Sequence, residues 1–122
     1  IFMDIDFNRC RRIGEELAPT LDPGNVAITY SSNRYVEFVP AGVNKGTGLA
    51  HLAELLGIDI SETIGFGDAA NDLDMLKRAC LGVGVANVSD DARPFCDVVL
   101  DTRAEDGALA ELVTRIIEPE HR

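Results

Sequence analysis

Asp68, Asn71 and Asp72 place three oxygen-bearing side chains within five positions, and Lys45 lies 23 residues before the first of them. If the segment is helical, Asp68 and Asp72 are one turn apart. Carboxylates are hard oxygen ligands suited to a divalent cation such as Mg²⁺, and the start of a helix favours anions. Together these features suit a magnesium ion holding a phosphate. Acidic residues in a first helical turn also occur as plain caps that complement the dipole. What argues for more is the combination of Gly67-Asp68 with Asn71-Asp72-Leu73-Asp74-Met75-Leu76. Gly65-x-Gly67-x-x-Ala70 formally fits a dinucleotide fingerprint. Asp68 inside that loop would oppose a bare pyrophosphate, a conflict that a divalent cation removes.

The elements that would position these groups are legible. Ile64 and Phe66 predict a short strand, Gly65 and Gly67 permit a sharp turn after it, and Ala69, Leu73, Leu76 and Cys80 predict the buried face of a helix. Asp68 then falls at the carboxyl end of a strand, where open α/β sheets place ligands. Leu49, Leu52, Ala53 and Leu56 predict an amphipathic helix that stops at Gly57. Lys45 stands at its amino end, where a cation opposes the helix dipole. That local conflict is the kind found at functional sites, although an exposed lysine there is also common.

Further on, Leu81 to Val85 and Asp97 to Leu100 predict strands. Ser89 is expected to cap a short helix ended by Pro94. A last helix follows Asp106-Gly107, with Leu109, Leu112, Val113 and Ile116 on one face and a fraying tail from Glu118 to Arg122. From Lys45 onward helices alternate with strands, which predicts a parallel sheet in a layered α/β arrangement.

The first forty or so residues read differently. A strand over Ile1 to Asp6 precedes a helix capped by Asn8 and running from about Arg9 to Leu21, with Ile13, Leu17 and Leu21 apolar and Pro19 bending its end. Val26 to Tyr30 and Tyr35 to Val39 predict an antiparallel hairpin across Ser31-Ser32-Asn33-Arg34.

The net charge of −10 argues against nucleic acid and anionic membrane as partners. No apolar run is long enough to cross a bilayer. Cys10, Cys80 and Cys96 lack C-x-x-C spacing, which predicts free buried thiols and a cytoplasmic location. His51 and His121 have no companions for a metal or catalytic site. The opening Ile1 predicts residues upstream.

Gly67-Asp68-x-x-Asn71-Asp72 resembles the fourth motif of the haloacid dehalogenase superfamily, and Asp74-Met75-Leu76 is most similar to its Cof-like sugar-phosphatase branch. Lys45-Gly46 resembles the third motif. Tyr30-Ser31, Glu37, Pro40, Gly42-Val43 and Lys45-Gly46 together resemble the return from the α/β cap of such enzymes, and Val83-Gly84-Val85-Ala86-Asn87 and Glu105-Asp106-Gly107-Ala108 their closing blocks. The resemblance implies a partial Rossmannoid parallel sheet preceded by a β-α-β-β remnant of an α/β cap. Residues 1–42 would be the end of the cap and residues 43–122 the second half of the core.

It implies Mg²⁺-dependent hydrolysis of a small phosphorylated metabolite, of the sugar-phosphate kind, through an aspartyl-phosphate. Asp68 would bind Mg²⁺, with Asp72 supporting it directly, through water or through a neighbour. Asn71 would orient the phosphate, and Lys45 would balance charge on the nucleophile and the phosphoryl group. Asp4 and Asp6 spell D-x-D, the form of the family's nucleophile motif, but Phe7-Asn8 stand where the family has Gly-Thr. The phosphate-gripping Ser or Thr of the second motif has no convincing counterpart; Thr29 is a candidate, but it falls in the cap match. The chain alone is therefore expected to be inactive. An alternative is a non-catalytic metal-binding or interaction domain, and exposed sheet edges would favour self-association.

Overall fold

The computed structural model describes residues 1–120. It is an α/β structure with two three-stranded sheets. The first sheet, ordered β1-β3-β2, contains β1 (Phe2–Met3), β2 (Val26–Ser31) and β3 (Tyr35–Pro40), all antiparallel. Helix α1 (Phe7–Leu17) links β1 to β2, and a 3₁₀ turn over Ala18–Thr20 follows it, so Pro19 marks the helix end as expected. The hairpin turns at Ser32 and Asn33, both with positive φ, and β2 pairs with β3 from Val26–Pro40 to Ser31–Tyr35.

Several expectations for this unit are corrected. The first strand has two residues, because Asp6 ends it by capping α1 through a hydrogen bond from the Asn8 amide. The cap is thus Asp6, not Asn8, and the helix stops four residues before Leu21. Cys10 and Gly14 form the buried face, whereas Leu17 is exposed. Tyr30 lies across the helix at Gly14, which turns that face inward.

The second sheet, ordered β4-β5-β6, is parallel: β4 (Ile64–Gly67), β5 (Leu81–Gly84) and β6 (Val98–Val99). Helix α2 (Lys45–Leu56) precedes it and ends at Gly57, which sits in the left-handed region as expected of a helix stop. Helix α3 (Leu73–Arg78) links β4 to β5, and α4 (Ala108–Leu112) closes the layer. The core under these elements joins Leu76, Val83, Val85, Val88, Leu100 and Leu112, with Phe66, Ile116 and Ile117 packed around it.

Here too some apolar positions differ from expectation. Helix α2 packs on α3 with Gly46 against Asp74; Gly46 and Ala53 are its buried residues, and Leu52 and Leu56 are exposed. Ala79 is buried in place of Cys80, because the backbone leaves the helix at Ala79 and changes the side-chain phase. Consequently the thiols differ: Cys10 is buried, Cys96 half-buried and Cys80 exposed. Pro94 opens a 3₁₀ turn at Arg93–Phe95 instead of ending a helix. Leu109 is exposed and Ala108 buried in its place. A π-helical turn over Val113–Ile117 then brings both Ile116 and Ile117 to the core. Glu118–Glu120 stay helical, and the rest of the tail, including His121, lies outside the described residues.

Candidate active site at the turn between β4 and α3

Two close approaches build the site. Gly46, in the first turn of α2, faces the carbonyl of Asp74, and a Cβ there would lie 2.6 Å from that oxygen. Any larger residue would push α2 off α3. Gly67, the last residue of β4, faces the side chain of Asp72, and a Cβ there would lie 2.6 Å from Asp72 Cβ. Since real Cβ contacts are not that short, only glycine lets Asp72 lie flat against the strand end.

Asp72 uses that room to reach back. One carboxylate oxygen accepts the amides of Asp68 at 2.9 Å and Ala69 at 3.1 Å, and the other accepts Lys45 Nζ at 2.5 Å. Asp72 is 2% exposed, yet three donors satisfy it. Burial raises its pKa, but the Lys45 ammonium and the two amides outweigh that and hold it below the usual carboxylate range.

Lys45 reaches Asp72 because α2 begins where it does. Asn44 and Thr47 cap the helix reciprocally, the Thr47 amide to Asn44 Oδ1 at 2.9 Å and the Asn44 amide to Thr47 Oγ1 at 3.0 Å. That makes Lys45 the first helical residue. Its unfavourable position against the dipole is offset by Asp72, while half of its side chain stays open to solvent.

Asp68 is placed differently. It is exposed at the carboxyl end of β4, and its carbonyl accepts the Ser89 amide at 2.9 Å. Partial burial raises its pKa, and the neighbouring Asp72 carboxylate raises it further against an opposing pull from Lys45. Among the described residues no lysine or arginine forms an ion pair with it. A carboxylate strained by a second carboxylate and lacking its own cation suits a divalent ion. No group of three or more acidic, histidine or cysteine side chains is gathered there among the described residues. Asp68 therefore fits as one ligand of a hard cation whose other positions are left to water, phosphate or further groups. Asp72 has both oxygens engaged, one by Lys45 and the other by the Asp68 and Ala69 amides.

Asn71 is half-buried and lines a cleft of about 330 Å³ together with Lys45, Thr29 and Glu37. Thr29 thus faces the site from β2, across from α2. A second cleft of about 280 Å³ opens on Lys45, Asp68 and Asp72 from the side of Ala108. The D-x-D residues lie in the other sheet's unit: Asp4 accepts the Asp6 amide at 2.8 Å and pairs with Arg9 at 3.3 Å, and Asp6 caps α1. Sequence reasoning missed the packing role of Gly46 and the Asp68–Ser89 tie. The capping pair Asn44-x-x-Thr47 was the available signal for where α2 begins.

A parallel sheet with an acidic, lysine-bearing crevice at its carboxyl edge defines the Rossmann-like α/β class. Within it, the chain belongs to the haloacid dehalogenase-like hydrolase family, whose sequence model matches residues 1–112. It is 39% identical over 80 residues to a 5-amino-6-(5-phospho-D-ribitylamino)uracil phosphatase of Bacillus subtilis, covering 66% of this chain and 32% of that protein. It is 46% identical over 72 residues to a phosphoglycolate phosphatase of Natronomonas pharaonis, covering 59% and 32%. A HAD/COF-like hydrolase from Plasmodium vivax superposes with a TM-score of 0.85 at 25% identity, over 95% of this chain and 40% of that one. The chain spans about a third of the length of the curated relatives it matches.

Proposed function

We propose that this chain carries the metal-binding and charge-balancing part of a Mg²⁺-dependent phosphatase acting on small phosphate esters, of the sugar-phosphate kind, through an aspartyl-phosphate. Residues 1–42 are read as the end of the cap and residues 43–122 as the second half of the core. The observation that carries this reading is the division of labour between two carboxylates. Asp72 is committed to Lys45 and two amides, and Asp68 is left facing the crevice. In this reading Asp68 holds Mg²⁺, which supplies neutralising charge for the phosphate. Lys45 offers its half-exposed ammonium to the phosphoryl oxygens, Asp72 keeps that ammonium in place, and Asn71 orients the phosphate through its amide. In this reading Asp4 and Asp6 serve α1, the nucleophile is supplied from elsewhere, and the chain alone is inactive. A reducing cytosol suits the three free thiols.

Calorimetric titration with MgCl₂ tests the site. Millimolar-or-tighter binding is expected for the chain and its loss in Asp68→Asn; no binding by the chain, or unchanged binding in the variant, rejects the site. Hydrolysis of p-nitrophenyl phosphate that disappears in Asp4→Asn would instead make Asp4 the nucleophile.

An interaction role has its own observation. Leu52, Leu55, Leu56, Ile58, Ile60 and Ile64 are all exposed along α2 and the segment leading into β4. Such a patch favours burial against a second copy of the chain. Light scattering is expected to show a mass that rises with concentration; a strict monomer at high concentration rejects self-association. No helix among the described residues is long and apolar enough to cross a membrane.

A further inference from the structure

A cleft of about 670 Å³ lies between the hairpin tip and the Asp68 turn. Its wall on the side of the first sheet carries Arg11, Tyr30, Ser32 and Asn33; the opposite wall carries Asp68 and Asp91. Among the described residues Arg11 is the one lysine or arginine lining it. Like Arg12, Arg34, Arg78 and Arg93, Arg11 forms no ion pair with a carboxylate among the described residues; what sets it apart is its place on this cleft.

The guanidinium is nevertheless held. Its central carbon lies 5.2 Å from the Phe7 ring centroid and 6.0 Å from that of Tyr30. Those rings meet edge to face at 5.8 Å and 87°, and Cys10 Sγ donates to the Arg34 carbonyl at 3.2 Å, tying α1 to the hairpin. The result is a pre-ordered, unneutralised cation across a polar cleft from the carboxylate assigned to the metal.

We propose that Arg11 is a specificity-determining residue that binds an anionic group on the alcohol portion of the substrate, at the far end from the phosphate. The substrate class is then a phosphate monoester whose leaving alcohol carries a carboxylate or a second phosphate; this rests on the reading of the Asp68 crevice given above. A planar guanidinium pairs with such oxygens through two parallel hydrogen bonds, and rings that pre-order it reduce the entropy lost on binding. The polar side chains of Ser32 and Asn33 on the same wall suit hydroxyls between the two charged ends.

The test is an NMR titration of the chain in Mg²⁺ with two open-chain phosphates that differ only at the far carbon. Gluconate 6-phosphate carries a carboxylate there and glucitol 6-phosphate a hydroxymethyl group. Gluconate 6-phosphate is expected to bind roughly tenfold tighter. Arg11→Gln should abolish that preference while leaving the affinity for glucitol 6-phosphate unchanged, and Arg11→Lys should keep part of it. Thermal melts by circular dichroism confirm that the variants are folded. Equal affinity in the unaltered chain, or a preference that survives Arg11→Gln, overturns the role of Arg11 and leaves the crevice assignment standing. Failure of both phosphates to shift resonances at Lys45, Asp68 and Asn71 overturns both.

Discussion

The two sheets are packed to different densities. In the parallel sheet, Gly82, Val83 and Gly84 of β5 are buried over Leu76, Val85 and Leu100. In the antiparallel sheet, all six residues of β2 are only half-buried, and Val36 is the one fully buried strand residue. The difference follows from layering. Crossover connections cover a parallel sheet with helices, whereas an antiparallel sheet with one helix leaves a face wet. The dense region holds Asp72 and the Asp68 turn. The thin region presents a wall of polar and aromatic side chains to the cleft, where exchange of residues costs the fold little.

Stability measurements can break that contrast. Leu76→Ala should cost about 3 kcal/mol in urea unfolding, since it opens a cavity in the closed core. Val36→Ala should cost about 2 kcal/mol or less, because water reaches the sheet around it. A larger loss at Val36 would mean that the antiparallel unit is the more rigid one.

A smaller effect sharpens the picture at the back of the dense region. Glu111 accepts the amides of Asp101 at 3.2 Å and Thr102 at 2.8 Å, and it also pairs with Arg115. The contact with Thr102 leads in lowering its pKa, burial opposes, and the value falls from 4.5 to about 2. A depressed carboxylate stabilises the fold above its unfolded pKa and loses that contribution as it protonates. Acid melts should therefore show stability falling between pH 4.5 and about 2, and falling less in Glu111→Gln. Identical slopes would detach Glu111 from the packing of α4.

Much of this was legible in the sequence because it is local. The hairpin follows from alternation, the helix stop from Gly57, and the parallel layer from strands alternating with helices. Asp68, Asn71, Asp72 and Lys45 stand out by type and spacing, and the fold brings Lys45 and Asp72 into contact. What was not legible depends on partners distant in the chain. The Lys45–Asp72 pair spans 27 positions, and which of two similar carboxylates turns inward depends on the empty space at Gly67. Periodicity likewise misassigned Cys80 and Leu109. A 3₁₀ turn over Ala70–Asp72 precedes α3, the chain leaves that helix at Ala79, and a π-helical turn follows α4, so a constant helical phase does not apply there.

Gly46 and Gly67 carry no functional group, yet they limit what the surrounding sequence can become. Adding a methyl group at either position leaves every charge in place. It nonetheless displaces Asp74 or Asp72, and with them the helix carrying the lysine or the turn carrying the aspartate. Sequence drift at this site is thus blocked by volume before it is blocked by chemistry.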